Sequence, residues 1–244
     1  MDDSLDLWVR DEFDTLDLGH GARNNRARRV LDAMVRHPEG TIAHTFTNPA
    51  EREGAYRFVE SRAFSWTQLR DAVQEACARR CGRVSEVLVV LDGSSYRHTD
   101  NAHHHGVGPI GSHRSGGRGL KVMAAVAMTA EGVPLGIAAH HLWARAELPV
   151  GNHARRPLDD KESQHWTALQ HSFEGALARV EAGCQVSYVM DAEADAFHVL
   201  VRALEQTRLT VRLHYDRNLA ALDVTAPERP ELKTLAVLDA SPPR

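Results

Sequence analysis

The sequence predicts a mixed protein of the α+β or α/β class, in which a small helical domain precedes a domain with elements in the order βββαβαβ. Apolar residues recur at helical spacing as far as about residue 84, and beyond it they form short runs of strand length. A chain of 244 residues can bury one core and a smaller appendage. We therefore predict a helical domain at 1–84, a core domain at 85–217 and a divergent, poorly ordered tail at 218–244.

Three amphipathic helices are predicted in the first domain, at Arg23 to Val35, at Ala50 to Val59 after an Asn-Pro start, and at Trp66 to Ala78. From Gly19 to Arg83 the chain holds 12 arginines and 7 acidic residues, although its net charge is −4. This local excess of positive charge indicates a surface that faces an anion. The alternative interpretation is an ordinary solvated helix face.

The second domain is predicted to begin with three antiparallel strands, because a T-A-E-G-V-P turn containing Gly132 joins the second strand to the third. The predicted elements are strands Val87 to Leu91, Leu120 to Met128 and Val133 to His140, helix Asp160 to Glu181, strand Val186 to Met190, helix Ala194 to Glu205 and strand Leu209 to Leu213. This order is that of the core of the ribonuclease H fold. In that fold the fourth strand lies parallel to the first and beside it.

The first and fourth strands each lead into an aspartate, V-L-V-V-L-D at Asp92 and V-S-Y-V-M-D at Asp191. A single aspartate in such a place more often closes a turn. Here neighbouring strands ~4.8 Å apart would bring both carboxylates together, where they can share a divalent ion. We predict Mg²⁺ at this position, with Mn²⁺ as an alternative, and phosphoryl transfer as the chemistry.

Other features limit the protein class. No apolar run reaches the ~20 residues of a membrane span, and the acidic start M-D-D-S-L-D is not a secretory signal, so we expect a cytoplasmic protein without a membrane partner. Cys77, Cys81 and Cys184 are predicted to be free thiols. A Gly-rich loop carries histidines that fit either a zinc or copper site or a loop flanking an active site: His98, His103, His104, His105 and His113.

Short motifs run along nearly the whole chain: R-N-N-R-A-R-R after Leu18 and Gly19, E-G-A-Y-R-F from Glu53 to Phe58, L-D-G-S-S-Y-R-H around Asp92, V-P-L-G at 133–136, D-K-E-S before Trp166, and D-A-E-A-D from Asp191. In combination they resemble the bacterial insertion-sequence DDE transposases of the IS-four and Tn-five type. The resemblance implies a ribonuclease H-like core preceded by a helical domain that binds the inverted-repeat ends of a transposon.

Double-stranded DNA is therefore the implied partner, together with a second copy of the chain or a full-length transposase. The residues that the resemblance implies as DNA contacts are Arg23, Arg26, Arg29, Tyr56 and Arg57 in the helical domain, with Arg28 and Arg36 as an alternative pair, and Arg97, His98, Arg212 and Arg217 in the core domain. Contacts of this kind position a protein on phosphate, and some of them read base edges.

In the family three carboxylates hold two Mg²⁺ ions, and Asp92 and Asp191 match the first two of them. The third is the glutamate of a Y-x-x-R-x-x-x-E signature, which does not occur after Asp191. The expected protein is thus a C-terminally truncated transposase that is inactive alone. The alternatives are a non-catalytic DNA-binding regulator, an inert remnant, and an active nuclease whose third ligand is Glu193 or Asp195.

Overall fold

Five helices precede the first strand in the computed structural model, which describes residues 3–99, 106–111, 117–146, 157, 161–205, 207–215, 218–219 and 232–233. They are α1 (Asp3–Glu12), α2 (Gly21–Arg36), α3 (Ile42–Thr45), α4 (Pro49–Val59) and α5 (Trp66–Cys81). Three of these were predicted. Helix α1 was missed because Leu7 and Trp8 are exposed, which obscures its amphipathic pattern, and α3 is a single turn.

Side-chain caps fix where the longer helices begin. The Asn48 side chain accepts hydrogen bonds from the amides of Ala50 and Glu51, and Pro49 occupies the first turn of α4. Ser65 and Gln68 form a capping box at the start of α5. The predicted Asn-Pro start of α4 is therefore confirmed, and the Asn48 cap is its physical cause.

The N-terminal helices pack around two small apolar clusters that share Phe58 of α4. Ala72 of α5 belongs to the first of these clusters, whereas Cys77 and Cys81 of the same helix lie in the main core against the sheet. Helix α5 is therefore packed on both sides. The three cysteines are free thiols, as predicted.

A six-stranded mixed sheet forms the second part of the chain. Its members are β1 (Glu86–Arg97), β2 (Gly108–Ile110), β3 (Gly117–Met128), β4 (Pro134–Trp143), β5 (Gln185–Met190) and β6 (Arg208–Val211). Strand β3 pairs antiparallel with β1, β2 and β4, while β5 lies parallel between β1 and β6. The predicted antiparallel meander and the parallel insertion of the fourth predicted strand beside the first are both confirmed. The short strand β2 was not predicted.

Helices α6 (Gln164–Arg179) and α7 (Phe197–Val201) join α5 around one large apolar cluster on the sheet. Phe173 of α6 and Tyr188 of β5 are fully buried within it. Gly132 takes a φ of 84° in the β3–β4 turn, which favours glycine and agrees with the predicted hairpin. Within the described part of the chain, no helix is both long and apolar enough to cross a membrane.

Two of the predicted elements have other boundaries in the structure. Strand β1 does not end at Asp92 but runs to Arg97, because β3 continues to pair with it as far as Gly119. The helix predicted at Ala194 to Glu205 is broken into a 3₁₀ turn Ala192–Ala194, the short α7 and a second 3₁₀ turn Arg202–Glu205. The cause is Asp195, whose backbone leaves the helical region at φ −70° and ψ 68°.

Two further differences concern the ends of the second domain. Helix α6 begins at Gln164 rather than at Asp160, which lies outside the described residues. The last predicted strand, Leu209 to Leu213, is Arg208–Val211. In the tail the structure describes an antiparallel pair of two-residue strands, β7 (Asn218–Leu219) and β8 (Leu232–Lys233), and the remaining tail residues lie outside the described part.

Candidate DNA-binding cleft and acidic sheet edge

The E-G-A-Y-R-F segment forms most of α4, and each of its apolar positions has a packing role. Ala55 is fully buried, and Phe58 packs against Phe64 with ring centroids 4.9 Å apart. A Cβ on Gly54 would lie 3.0 Å from the Arg26 guanidinium. The glycine therefore permits the close approach of α2 to α4, a role that the sequence analysis did not recognise.

Arg23 and Arg26 lie on the side of α2 that faces α4. Arg26 forms an ion pair of 2.7 Å with Glu51, and Arg23 donates a hydrogen bond of 2.9 Å to the carbonyl oxygen of Leu18. Both guanidinium groups are half-buried, so contacts within the protein fix their positions.

An open cleft separates α2 from α4, and three of the predicted DNA contacts line it. Arg57 enters this cleft from α4, where it forms an exposed ion pair of 2.8 Å with Glu53. The cleft is lined by Ala22, Arg23, Arg26, Gly54, Arg57, Phe58, Ser61 and Phe64. A cleft with three guanidinium groups is suited to phosphate, because guanidinium binds phosphate oxygens in bidentate fashion.

The other arginines of the helical domain are placed differently. Arg29 is exposed on α2, and Tyr56 on α4 is 40% exposed. Arg28 donates to the carbonyl oxygen of Phe13 at 2.8 Å, and Arg36 pairs with Asp32 within α2. All five arginines have contacts inside the domain, but Arg23, Arg26 and Arg57 line one cleft, and Arg28 and Arg36 are not among its lining residues.

Asp92 and Asp191 are brought to the same place by the parallel pairing of β1 with β5. The last pair in register is Leu91 with Met190, both buried, and the two aspartates are the residues that follow them. Asp191 keeps an extended backbone at φ −83° and ψ −170°, so both aspartates belong to the sheet face opposite Leu91 and Met190. We call this place the acid edge.

The carboxylates of the acid edge are partly engaged by the backbone. Asp92 Oδ1 accepts a hydrogen bond of 2.8 Å from the Gly93 amide, and Asp191 Oδ1 accepts one of 2.8 Å from the Glu193 amide. Glu193 also reaches toward β1, since its Oε2 lies 3.7 Å from the position of a Cβ on Gly93. Because side chains alternate along a strand, this position is on the face opposite Asp92, so Asp92 and Asp191 share one face and Glu193 approaches β1 from the other.

Asp195, the other alternative ligand in the D-A-E-A-D box, has a different role. It is 5% exposed, and its Oδ2 accepts the amides of His214 and Tyr215, both at 2.7 Å. This carboxylate therefore fastens the segment after β6 to the segment after β5. The Asp195 Oδ2 atom is therefore occupied by two backbone amides of the segment after β6.

Glu162 of the D-K-E-S motif lies two residues before the start of α6. Glu162 accepts hydrogen bonds from Trp143, at 3.1 Å, and from the Arg145 guanidinium. Burial alone would raise the pKa of Glu162, but the bonds from Arg145 and Trp143 lower it overall. The hydrogen bond with Glu162 is the main cause that raises the pKa of Arg145, and the charge of Glu193 adds to the shift.

A stack of rings adjoins Glu162. His165 of α6 lies 4.6 Å from His141 and 4.2 Å from Trp143, measured between ring centroids. Burial lowers the pKa of both histidines, and the Arg70 charge contributes to the shift at His141. These ring contacts join β4 to α6.

The predicted contacts of the core domain are spread over three segments. Arg97 and His98 are exposed at the far end of β1, and the exposed Arg212 donates its amide to the Met190 carbonyl oxygen at 3.2 Å, next to Asp191. Arg217 lies outside the described residues, as do the loop histidines His103, His104, His105 and His113. In the described ranges, no group of three or more His, Cys, Asp or Glu side chains has a metal-binding arrangement.

A helical domain with an arginine-lined cleft, joined to a mixed sheet with paired aspartates, has the features of a nucleic-acid-binding protein. Residues 6–64 match the protein family described as transposase DNA-binding. The matched segment contains α2, α3, α4 and every residue that lines the cleft. The chain therefore carries a transposase-type DNA-binding domain.

Proposed function

We propose that this protein binds the inverted-repeat ends of a transposon as double-stranded DNA, with phosphate oxygens entering the cleft between α2 and α4. The convergence of Arg23, Arg26 and Arg57 inside the matched family segment is the observation that carries this proposal. Arg29 and Tyr56 extend the contact beyond the cleft. The Arg57–Glu53 ion pair does not prevent binding, since an exposed pair contributes only ~0.2–1 kcal/mol and phosphate can replace the carboxylate.

The second part of the proposal concerns family and fold. We propose a transposase of the IS-four and Tn-five type with a ribonuclease H-like core domain. The order of strands and the insertion of β5 beside β1 support the fold. The register that places Asp92 beside Asp191 supports the site, because DDE chemistry needs two carboxylates at adjoining strands.

Magnesium is the cofactor that this donor set fits, with manganese as an alternative. Asp92 and Asp191 offer hard oxygen ligands on one side of a divalent ion. A bound ion would supply Lewis-acid stabilisation of charge on a scissile phosphate. The protein's own residues hold the two carboxylates in register, and the backbone amide of Arg212 donates to the Met190 carbonyl oxygen next to them.

Catalysis by this chain alone is not part of the proposed function. No tyrosine in the sequence is followed by an arginine three positions later, so the Y-x-x-R-x-x-x-E signature is absent from the 244 residues. A misplacement of about 1 Å at a metal site can reduce the rate on the order of a hundredfold. We expect an end-binding protein whose protein partner is a second copy of the chain or another transposase.

A second candidate function is an active nuclease in which Glu193 supplies the third carboxylate. The observation that favours it is the contact between the two acidic residues, since the Glu193 amide donates to Asp191 Oδ1 at 2.8 Å. Incubation with a supercoiled plasmid carrying the cognate ends, in Mg²⁺ or Mn²⁺, separates the two candidates. The end-binding proposal predicts no excision, whereas excision that Glu193→Gln abolishes would establish the nuclease.

DNA binding itself is tested by titrating the purified chain with duplexes that carry the flanking inverted repeats and with scrambled duplexes of equal length. We expect a preference for the repeats and an affinity that falls steeply as salt rises. Equal, weak binding to both duplexes would contradict recognition of transposon ends.

A further inference from the structure

Helix α1 exposes two neighbouring apolar side chains. Leu7 is 64% exposed and Trp8 is 40% exposed, whereas Val9 and Phe13 are buried. Packing within the chain therefore uses Val9 and Phe13, and it leaves most of Leu7 in contact with solvent. A single exposed apolar residue is ordinary. An adjacent pair that includes tryptophan is a candidate contact surface, because tryptophan is enriched among the residues that dominate binding between proteins.

The same segment is strongly acidic. From Asp3 to Asp17 the chain has six acidic residues and one arginine. Arg80 neutralises part of this charge, because it forms ion pairs with two of the acids. Asp14, just after the helix, is exposed. Helix α1 thus combines an exposed leucine and indole ring with a net negative charge.

The cleft between α2 and α4 has the complementary composition. It is lined by three guanidinium groups and two phenyl rings, those of Arg23, Arg26, Arg57, Phe58 and Phe64. Carboxylates pair with guanidinium groups, and an indole ring attracts a guanidinium group to its face. Such a contact occurs elsewhere in this protein, where Arg70 Cζ lies 5.2 Å from the Trp66 ring centroid. An acidic segment with an exposed tryptophan therefore fits the cleft in both charge and polarity.

Helix α1 of the same chain is held away from this cleft. Arg79 and Arg80 of α5 donate to the Asp11 carbonyl oxygen at 2.8 Å and to its carboxylate at 2.9 Å. Gln68 of α5 donates to the Asp17 carbonyl oxygen at 2.7 Å. The residues that line the cleft come from α2, α4 and the segment that follows α4. An α1 helix that occupies the cleft therefore has to come from a second molecule.

We propose that two copies of this chain associate in the absence of DNA, with Leu7 and Trp8 of each copy seated in the arginine-lined cleft of the other. Each copy supplies one α1 and one cleft, so the dimer is closed and symmetric. The inference rests on the proposed function in one respect: DNA and α1 compete for the same cleft. Association therefore reduces DNA binding at high protein concentration, and DNA dissociates the dimer.

The contact is small, so the association is weak. A few side chains on each side correspond to a dissociation constant on the order of 10–100 µM. Dilute protein is then monomeric, and its cleft is accessible to DNA.

Sedimentation velocity of the full chain without DNA measures the association. We expect a monomer–dimer equilibrium that shifts toward the monomer as salt rises, because salt screens the carboxylate–guanidinium pairs. Leu7→Gln and Trp8→Gln should each weaken the dimer at least about tenfold. Val133→Gln, which changes a similarly exposed apolar side chain in the β3–β4 turn, should leave the dimer unchanged.

The cleft side of the contact is tested by Arg57→Glu, a change at an exposed position. This variant should also weaken the dimer at least about tenfold, because it places like charges opposite each other. Leu7→Gln should bind inverted-repeat duplex DNA at least as tightly as the wild type, a result that a folding defect would not produce. Added duplex should convert the wild-type dimer into DNA-bound monomer.

A wild-type chain that stays monomeric at low salt and at concentrations well above this range would overturn the proposal. A dimer that Leu7→Gln and Arg57→Glu leave intact, with thermal melting like that of the wild type, would also overturn it. A dimer that persists with duplex bound would refute competition for the cleft. If Trp8→Gln fails to fold, Leu7→Gln decides, because its side chain is the more exposed. Failure of the proposed function is distinguishable, since a dimer that Arg57→Glu dissociates but that no duplex affects would remove DNA recognition alone.

Discussion

Replacing Arg23, Arg26 and Arg57 together with glutamine should weaken DNA binding through loss of phosphate contacts. The three side chains line one cleft, so they can neutralise about three phosphates. For duplex DNA the logarithm of affinity falls with the logarithm of salt concentration at about 0.9 per neutralised phosphate. The slope of the triple variant should therefore be smaller than that of the wild type by about 2.7.

The same arithmetic gives the size of the effect. Between 50 and 200 mM salt, three phosphate contacts account for roughly a fortyfold change in affinity, and this part of the salt dependence should disappear in the variant. The fold should tolerate the change. The Arg57–Glu53 pair is exposed, and the loss of the Arg23 bond to Leu18 costs about 1 kcal/mol.

Fluorescence anisotropy titrations at four or more salt concentrations measure the slope. The matched control is a triple glutamine variant of Arg83, Arg179 and Arg208, which removes the same charge. These three arginines are exposed and lie at the end of the parallel strands that is opposite the acid edge. An equal reduction of slope in both triple variants would refute the cleft and would mean that net charge alone governs binding.

Three further predictions concern the fold around the two sites. Arg80→Ala should lower the free energy of unfolding, measured by urea titration, by roughly 3 kcal/mol. The reason is that Glu12 loses an ion-pair partner at 2.8 Å and Asp11 loses one at 2.9 Å. The control variant Arg79→Ala should lower the free energy of unfolding much less. Asp195→Ala should speed amide exchange at His214 and Tyr215, which lose their acceptor, whereas unchanged exchange would contradict the anchoring role. The folded-state pKa of His165 lies below its unfolded value of 6.5, so stability should fall as the pH drops through and below 6.5. His165→Gln should make this fall shallower, as measured by thermal melting between pH 5 and 8.

The order of elements was predictable from sequence because local patterns specify it. Helices α2, α4 and α5 have apolar residues at helical spacing and recognisable starts, and the β3–β4 turn has a glycine at positive φ. The pairing of β1 with β5 followed from the order of elements. It placed Asp92 beside Asp191, although the two are separated by about a hundred residues.

The parts that were not predictable depend on contacts distant in sequence. Strand β1 extends beyond Asp92 because β3 pairs with it, and no local pattern in G-S-S-Y-R-H shows this. The helix predicted from Ala194 is interrupted because Asp195 bonds to amides about twenty residues later. In the same way, Gly54 is recognisable as a packing position only after Arg26 is seen against it.

For the candidate site, the types of residue could be predicted from the sequence more readily than their arrangement in space. The excess of arginine indicated an anion-binding surface, but it did not separate Arg28, which donates to the Phe13 carbonyl oxygen just after α1, from Arg26, which lines the cleft. The roles of the nine candidate DNA contacts and of the two aspartates stay predictions, and their functions are the subject of the experiments above.

Hydrogen exchange of the free and DNA-bound chain, read by mass spectrometry, is the measurement that tests the central claim most directly. With a duplex carrying an inverted repeat, the account predicts protection concentrated in α2 (Gly21–Arg36) and α4 (Pro49–Val59), which border the cleft. Saturating DNA that leaves exchange in both helices unchanged would contradict the account, whichever other surface became protected.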